Sequence, residues 1–540
     1  MADRPNIIIF NPDEMRADVM GHLGNPCGAT PFLDEFAAGE GVSFRNAFCQ
    51  NPVCVPSRCS FTTGLYPHVN GHRTMSSLLR ENETSIFEEL KNAGYYVWMN
   101  ARNDLIAGQI PGLVERHASE IYYGGEAVHQ FVPLTPQYRP GEPGYYAMFG
   151  GKLGDDGSGQ SMSADDEDLA AAVRMIKNKP ADQPLCLFLG LLYPHAPYQV
   201  EEPYYSAIDR KKLPARIRPE ECEGRPLIEE KIRENQSLQG FSEEQWDELR
   251  AAYLGMCMKV DHSFRVLCEA LKEVGEYDNS AIFFLSDHGD FAGDYGIAEK
   301  AQNTFPDCLV HVPLLVKPPK GEALDPGIAD GLTELVDFYA TAMDYAGVTP
   351  SHSQYGCSLR ETVGDRAKPV REFVTTEGGR LPEEVHCDEY HVSNGPQGTP
   401  KFNPYWARHF AQTDPVAHAK GIMIRTAERK YISRVSGLDE YYDLVRDPEE
   451  RVNRIDDPAY VLEINDLRLR LMRWLVETTD VVPYDFDSRF STEMIWAKVQ
   501  KIVPPEYKDE IMEKIRGGMN AFVLQKYCRE RFGTQKSPEA

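Results

Sequence analysis

Five short apolar runs constrain the fold of this chain more than any other feature. They lie at residues 6–10, 95–99, 185–191, 281–286 and 313–317, and each has the length of one strand. In the first, Ile7, Ile8, Ile9 and Phe10 are continuous rather than alternating with polar residues. A strand carries that pattern when both of its faces are covered. Amphipathic stretches separate the runs. The clearest covers 243–274, where Leu249, Tyr253, Met256, Val260, Phe264, Leu267 and Leu271 recur at helical spacing. Strands alternating with helices predict an α/β fold: a large mixed, mostly parallel sheet sandwiched by helices, with its chemistry at the carboxyl ends of the strands.

The pattern changes after about residue 370. Residues 373–376, 421–425 and 430–434 read as short strands, the last two as a hairpin, and 439–444 leads into a helix near 460–478. A chain of 540 residues is also long for one core. The expected organisation is a catalytic domain at 1–370, a smaller C-terminal α+β lobe at 371–480 and an extension at 481–540. The extension is rich in charges and aromatics, with helical pattern around 510–532. Its expected role is packing or homo-oligomerisation.

Charge narrows the function classes. Lys and Arg number 57 and Asp and Glu 83, a net charge of −26. Nucleic acid is excluded as a partner, since phosphate binding needs a basic surface. A small anionic substrate would need a local cluster of cations set against the global field. No run is long enough to span a membrane, so no membrane partner is expected. No basic, then apolar, leader opens the sequence, and twelve cysteines are scattered without a framework spacing. The expected location is the cytoplasm.

Four clusters fall beside the predicted strands. Asp13-Glu14 follows the first run; adjacent acids there can take a hard cation, although alone a solvated loop or helix cap is the plainer reading. Asp287-His288-Gly289-Asp290 directly follows the fourth run. Together the two clusters make an oxygen-rich set with one nitrogen, which suits Ca²⁺, Mg²⁺ or Mn²⁺ better than structural zinc. The third cluster is Pro52-Val53-Cys54-Val55-Pro56-Ser57-Arg58, continuing to Thr63-Gly64. Its plain reading is a Pro/Ser loop entering a helix, with Cys54 an ordinary thiol. The fourth is basic: His68, His72, Arg102, His195 and Lys300. Single His and Lys residues are ordinarily structural or solvated, but each of these lies beyond a predicted strand or near Cys54, where an anion site needs them.

Together these segments resemble the type I sulfatases of the alkaline phosphatase-like superfamily. Cys54-Val55-Pro56-Ser57-Arg58 with Thr63-Gly64 matches the family signature Cys-x-Pro-Ser-Arg followed by Thr-Gly, and so many fixed positions rarely coincide. The resemblance covers most of residues 5–320. It reappears at 440–450, which resembles the Leu-Tyr-Asp-Leu-x-x-Asp-Pro-x-Glu segment of the smaller lobe.

The resemblance implies hydrolysis of a sulfate ester to alcohol and inorganic sulfate. Cys54 would be oxidised to Cα-formylglycine by a maturation enzyme, and one hydroxyl of its hydrate would attack sulfur. Asp13, Glu14, Asp287 and His288 would bind a divalent metal, Ca²⁺ first, with Mn²⁺ and Mg²⁺ as alternatives. Arg58 would hold the diol, Lys300 would bind a sulfate oxygen, and His195 would assist the leaving group. His72 and Asp104 are assigned to substrate binding. The substrate would be a small anionic sulfate ester of a sugar or aryl alcohol.

Two departures bear on specificity. Glu14 stands where the family often has Asp or Gln. Many members also carry Gly-Lys-Trp-His after the second run, where this chain has Arg102, Asn103 and Asp104. Arg102 keeps the positive charge as a two-pronged fork. Asp104 replaces a histidine and would bind Arg102, or a positive or hydroxylated part of the substrate. Phosphonate monoester and phosphodiester hydrolases, which share the site and also lack the Lys/His pair, are the alternative. A binding protein with a dead site would instead keep an unmodified Cys54 and no metal. Pocket residues are expected at 66–75, 104–108, 197–205 and 377–409.

Overall fold

The computed structural model describes residues 4–124, 138–139, 142, 144–153, 163–392, 394–482, 484 and 489–533. The last seven residues of the expected extension, 534–540, lie outside them. The strands in chain order are β1 (Asn6–Asn11), β2 (Val42–Phe48), β3 (Tyr96–Asn100), β4 (Glu120–Tyr122), β5 (Phe149–Lys152), β6 (Leu185–Gly190), β7 (Tyr198–Val200), β8 (Ser280–Leu285), β9 (Leu314–Lys317), β10 (Gly327–Glu334), β11 (Val374–Gly378), β12 (Gly421–Arg425), β13 (Arg429–Arg434) and β14 (Glu440–Asp443).

Eight of them form one sheet in the order β10-β2-β9-β8-β1-β6-β3-β4. All neighbours run parallel except at β9, which is antiparallel to both β2 and β8. The sheet is therefore mixed and mostly parallel, as expected. The continuity of the apolar runs has a direct cause. Ile7 and Ile9 face one hydrophobic core, while Ile8 and Phe10 face the other. The helix Glu243–Glu273 covers the second face. Ser242 and Gln245 cap its start reciprocally, and Phe264 packs edge-on against Phe10 with ring centroids 5.2 Å apart.

Three strands of this sheet, β2, β4 and β10, carry no continuous apolar run. Arg45 and Asn46 interrupt β2, and β10 contains a register shift between Ala329 and Leu332. The smaller sheet is an antiparallel meander in the order β11-β12-β13-β14, followed by the helix Val461–Glu477.

Two compact units emerge: Met1–Pro350 with Gln354–Asp480, and Val481–Ala540 with Ser351–Ser353. The first holds both of these sheets. The second is helical, with a core of Ile495, Val499, Ile511, Ile515, Leu524 and Cys528. Among the described residues no helix is long and apolar enough to cross a membrane.

Candidate active site

β1 and β8 are parallel neighbours, so their carboxyl ends deliver residues to one edge of the sheet. Asp13 and Glu14 follow β1, and Asp287 and His288 follow β8. The helix Cys54–Thr63 begins beside them, and all of its residues are buried. Cys54 is the first helical residue, where the positive end of the helix favours a developing anion. Arg58 stands one turn on and shares its face. Its wholly buried guanidinium donates to Asp287 Oδ2 (2.8 Å), Asp13 Oδ2 (2.9 Å) and the carbonyls of Arg102 (3.1 Å) and Asn103 (3.3 Å). Arg58 thus ties the two acids together as well as standing near Cys54.

Ligand atoms of Asp13, Cys54, Asp287 and His288 all lie within 4.8 Å of one another, and Asp13, Glu14 and His195 form an overlapping group. His288 donates through Nδ1 to Gly289 O (2.9 Å), which leaves the Nε2 lone pair facing Cys54 Sγ (3.2 Å) and Asp13 Oδ1 (3.6 Å). Burial keeps that imidazole below its usual range, hence neutral. Burial alone would raise the Asp13 carboxyl, but Arg102 and Arg58 outweigh it and hold it well below the carboxylate range. Burial, only partly answered by Lys300, pushes Glu14 well up. Glu14 Oε2 is buried without a hydrogen-bond partner. An orphaned carboxylate oxygen, two further buried carboxylates and one free imidazole nitrogen fit a hard divalent cation.

The basic residues divide. Arg102 Nη2 reaches Asp13 Oδ2 at 2.8 Å. Lys300 Nζ donates to His195 Nε2 (2.8 Å) and Glu14 Oε1 (3.1 Å). Burial and Lys300 hold His195 well below its usual range, so it is neutral and accepts from the lysine. Asp104 lies 3.8 Å from Arg58 Nη1, and among the described residues the ion pair of Arg102 within 4 Å is with Asp13 instead. His72 is turned elsewhere: Nδ1 bonds Ser77 O (2.6 Å) and Nε2 faces Glu83 (3.2 Å). His68 is likewise held, between Glu377 Oε1 (2.8 Å) and Thr478 O (2.8 Å). Neither histidine makes a bond to the Cys54 cluster among the described residues.

Sequence reasoning missed the support behind Lys300. Glu299 Oε1 lies 2.9 Å from Lys300 Nζ, and Arg408 Nη1 grips both Glu299 oxygens at 2.7 and 2.8 Å. Arg408 continues to Glu389 Oε2 at 3.2 Å. The Tyr405 ring packs edge-on against His195 at 6.3 Å. Adjacency to Lys300 could have flagged Glu299. Tyr405 and Arg408 fall in the segment 377–409 expected to line the pocket, but nothing local singles them out within it, and they come from more than a hundred residues further on.

A family model described as Sulfatase matches residues 5–348. The chain belongs to the sulfatase family. It is a sulfuric ester hydrolase with the alkaline phosphatase-like fold. This sulfatase is 25% identical to arylsulfatase K of Danio rerio, over 84% of this chain and 80% of that one. It is 24% identical to an arylsulfatase of Clostridium perfringens, over 87% and 94% respectively. Phosphonate monoester hydrolase of Agrobacterium radiobacter superposes with a TM-score of 0.68 at 20% identity, covering 88% of this chain and 96% of that one. At that identity the likeness speaks for the fold alone. The family brings a divalent metal and formylglycine with it, and the buried ligand group is where the metal fits.

Proposed function

We propose that this sulfatase cleaves its ester with a nucleophile made from Cys54, and that Asp13, Glu14, Asp287 and His288 hold Ca²⁺ beside it. The observation that carries the reading is the meeting of Asp13, Cys54, Asp287 and His288 ligand atoms within 4.8 Å. Hydrated Cα-formylglycine would supply a hydroxyl nucleophile at position 54 that the thiol lacks. A bound cation would draw charge from a sulfate oxygen and acidify a neighbouring hydroxyl.

The chain's own residues do the rest. Arg58 and Arg102 both bond Asp13 and keep it ionised. Lys300 offers a fixed positive charge to a sulfate oxygen. Burial opposes that charge, but Glu14 and Glu299 help hold the ammonium well above its usual range. His195 accepts from Lys300 and ties it to the Tyr193–Pro197 turn. His195, beside that charge, is assigned to assist the departing alcohol.

Phosphonate monoester hydrolysis is the second reading, favoured by Arg102, Asn103 and Asp104 in place of the Lys/His pair. One experiment separates the two. The Cys54 peptide is weighed to establish conversion, and the converted enzyme is assayed on aryl sulfates, sugar sulfates and aryl phosphonate monoesters. Sulfate esters are expected to turn over faster, and Cys54→Ala to abolish turnover with the fold intact. Far better cleavage of the phosphonates would overturn the reading.

We assign the protein to the cytoplasm; its twelve unpaired cysteines support a reducing compartment. We assign the 481–540 extension to self-association, supported by Phe522 and Val523, which are 74% and 57% exposed. A monomer in analytical ultracentrifugation would exclude that role.

A further inference from the structure

Among the described residues two cations, Arg73 and Lys420, have no acidic partner within 4 Å, and the Arg73 side chain and the Lys420 backbone both meet one turn beside the site. The turn is Gly378-Gly379, at the end of β11. It is wedged between the segments that carry Cys54 and Lys300. Asn51, three residues before Cys54, donates through Nδ2 to Glu377 O at 2.7 Å. A Cβ on Gly378 would lie 1.9 Å from the carbonyl oxygen of Gln302, two residues after Lys300. Only glycine permits that approach. Arg73 Nη1 donates to Gly379 O at 2.9 Å. On the other side, a Cβ on Gly379 would lie 3.0 Å from Lys420 Cα, and Lys420 N donates to Arg380 O at 2.9 Å.

Arg73 is buried and Lys420 half-buried. Among the described residues neither has a carboxylate within 4 Å, and Lys420 Nζ makes no hydrogen bond. The acids nearby are held by other groups, Glu384 by Leu381 N and Asp388 by Arg380 and His391, while Glu377 gives Oε1 to His68 and keeps Oε2 buried without a hydrogen-bond partner. Burial and the charge of Arg73 push Lys420 below its usual range. Several buried cations of this acidic chain are matched to acids, as in Arg371–Asp337, Arg434–Glu440 and Lys430–Glu450, whereas Lys317 is satisfied by three backbone carbonyls. Two like charges, one buried and one half-buried, repel until an anion joins them. The segments flanking the turn also carry orphaned buried polar atoms, both amide atoms of Gln302 and Oε1 of Gln50.

We propose that Arg73 and Lys420 form a second anion subsite at the rim of the active site, which binds a carboxylate or sulfate on the alcohol half of the ester. The substrate class is then a sugar sulfate with a second negative charge. The Gln302 amide is placed to take a neighbouring hydroxyl. The proposal rests on the sulfatase reading and deepens it.

Two matched pairs of probes test it with enzyme whose Cys54 conversion has been verified by mass. One pair is N-acetylglucosamine 6-sulfate against glucosamine 2-N,6-O-disulfate; the other is glucose 2-sulfate against glucuronic acid 2-sulfate. The doubly charged member of one pair is expected to be preferred at least about tenfold in kcat/KM. Which pair shows it distinguishes sulfate from carboxylate. Lys420→Ala and Arg73→Gln should each remove most of that preference, a loss of about tenfold, mainly through KM, and Lys420→Arg should keep most of it. Preference for the singly charged members, or an unchanged preference in the variants, overturns the subsite. Turnover of none of the four counts against the sulfatase reading instead. The subsite is then decided by calorimetry with glucosamine 2-N,6-O-disulfate: weaker binding by Lys420→Ala supports it, and equal affinity overturns it.

Discussion

Asp287 uses its two oxygens differently. Oδ2 takes Arg58 Nε at 2.8 Å, while Oδ1 accepts the backbone N–H groups of His288 (3.0 Å) and Glu14 (3.3 Å). It therefore positions two of its fellow candidate ligands as well as offering an oxygen of its own. Asp287→Asn keeps the shape and removes the charge. Metal affinity should fall at least about tenfold, read as metal content after dialysis against a weak chelator; unchanged content would remove Asp287 from the ligand set. Arg408 acts one step further out. Without it Glu299 is a buried carboxylate with Lys300 as its nearest cation, and the lysine is drawn from its task. Arg408→Leu should raise KM about tenfold with a smaller change in kcat, and Arg408→Lys should recover part of the loss. Equal losses in both variants, with no split between KM and kcat, would reduce Arg408 to a packing role. The contrast explains what was legible at this scale. Asp13, Glu14, Cys54, Asp287 and His288 each sit in a short segment whose chemistry is local. Arg408 has meaning only through Glu299, and only the fold brings those two together.

The helix Cys54–Thr63 holds its position partly through the residue that follows it. Gly64 caps it with φ +70°, and a Cβ there would lie 2.8 Å from the Tyr339 ring. Gly64→Ala adds backbone strain to a steric clash. It should lower stability by about 2–4 kcal/mol, measured by urea unfolding, and should lower activity further by tilting Cys54 and Arg58. A change within error would mean that Tyr339 yields freely. The strands show what sequence pattern does and does not reveal. β1, β6 and β8 were legible because both faces of each are dry, which forces a continuous apolar run. β2 and β10 pair with each other toward one end of the sheet, where Arg45 reaches outward to Asp330. Their polar positions are satisfied either toward the surface, as with Arg45, or by internal partners, as with Ser43 on His22 and Glu334 on Tyr66, so the apolar signal breaks although the backbone pairing does not. Likewise His72 and His68 lie near Cys54 in the chain, yet each is held by other partners. Spacing along the chain does not say which way a side chain turns.

At the scale of the whole molecule, the site gathers cations, each paired with a site carboxylate, inside a chain of net charge −26. Arg58, Arg102 and Lys300 converge there with Arg73 and Lys420 at its rim, so attraction for an anion is confined to short range. The depth of Cys54 has a different consequence, which concerns time. The residue is 1% exposed, and the rest of its helix is buried with it. A folded molecule offers a protein-sized modifying enzyme nothing to hold. Oxidation therefore belongs to the interval between synthesis and collapse, and each chain has one opportunity. Folded protein that still carries the thiol should stay unconverted when mixed with the maturation enzyme, while a peptide spanning residues 50–64 should be converted, both read by mass. Conversion of the folded thiol form would show instead that this helix opens. Otherwise the active fraction of any preparation is fixed before its first molecule finishes folding, and no later treatment of the native protein raises it.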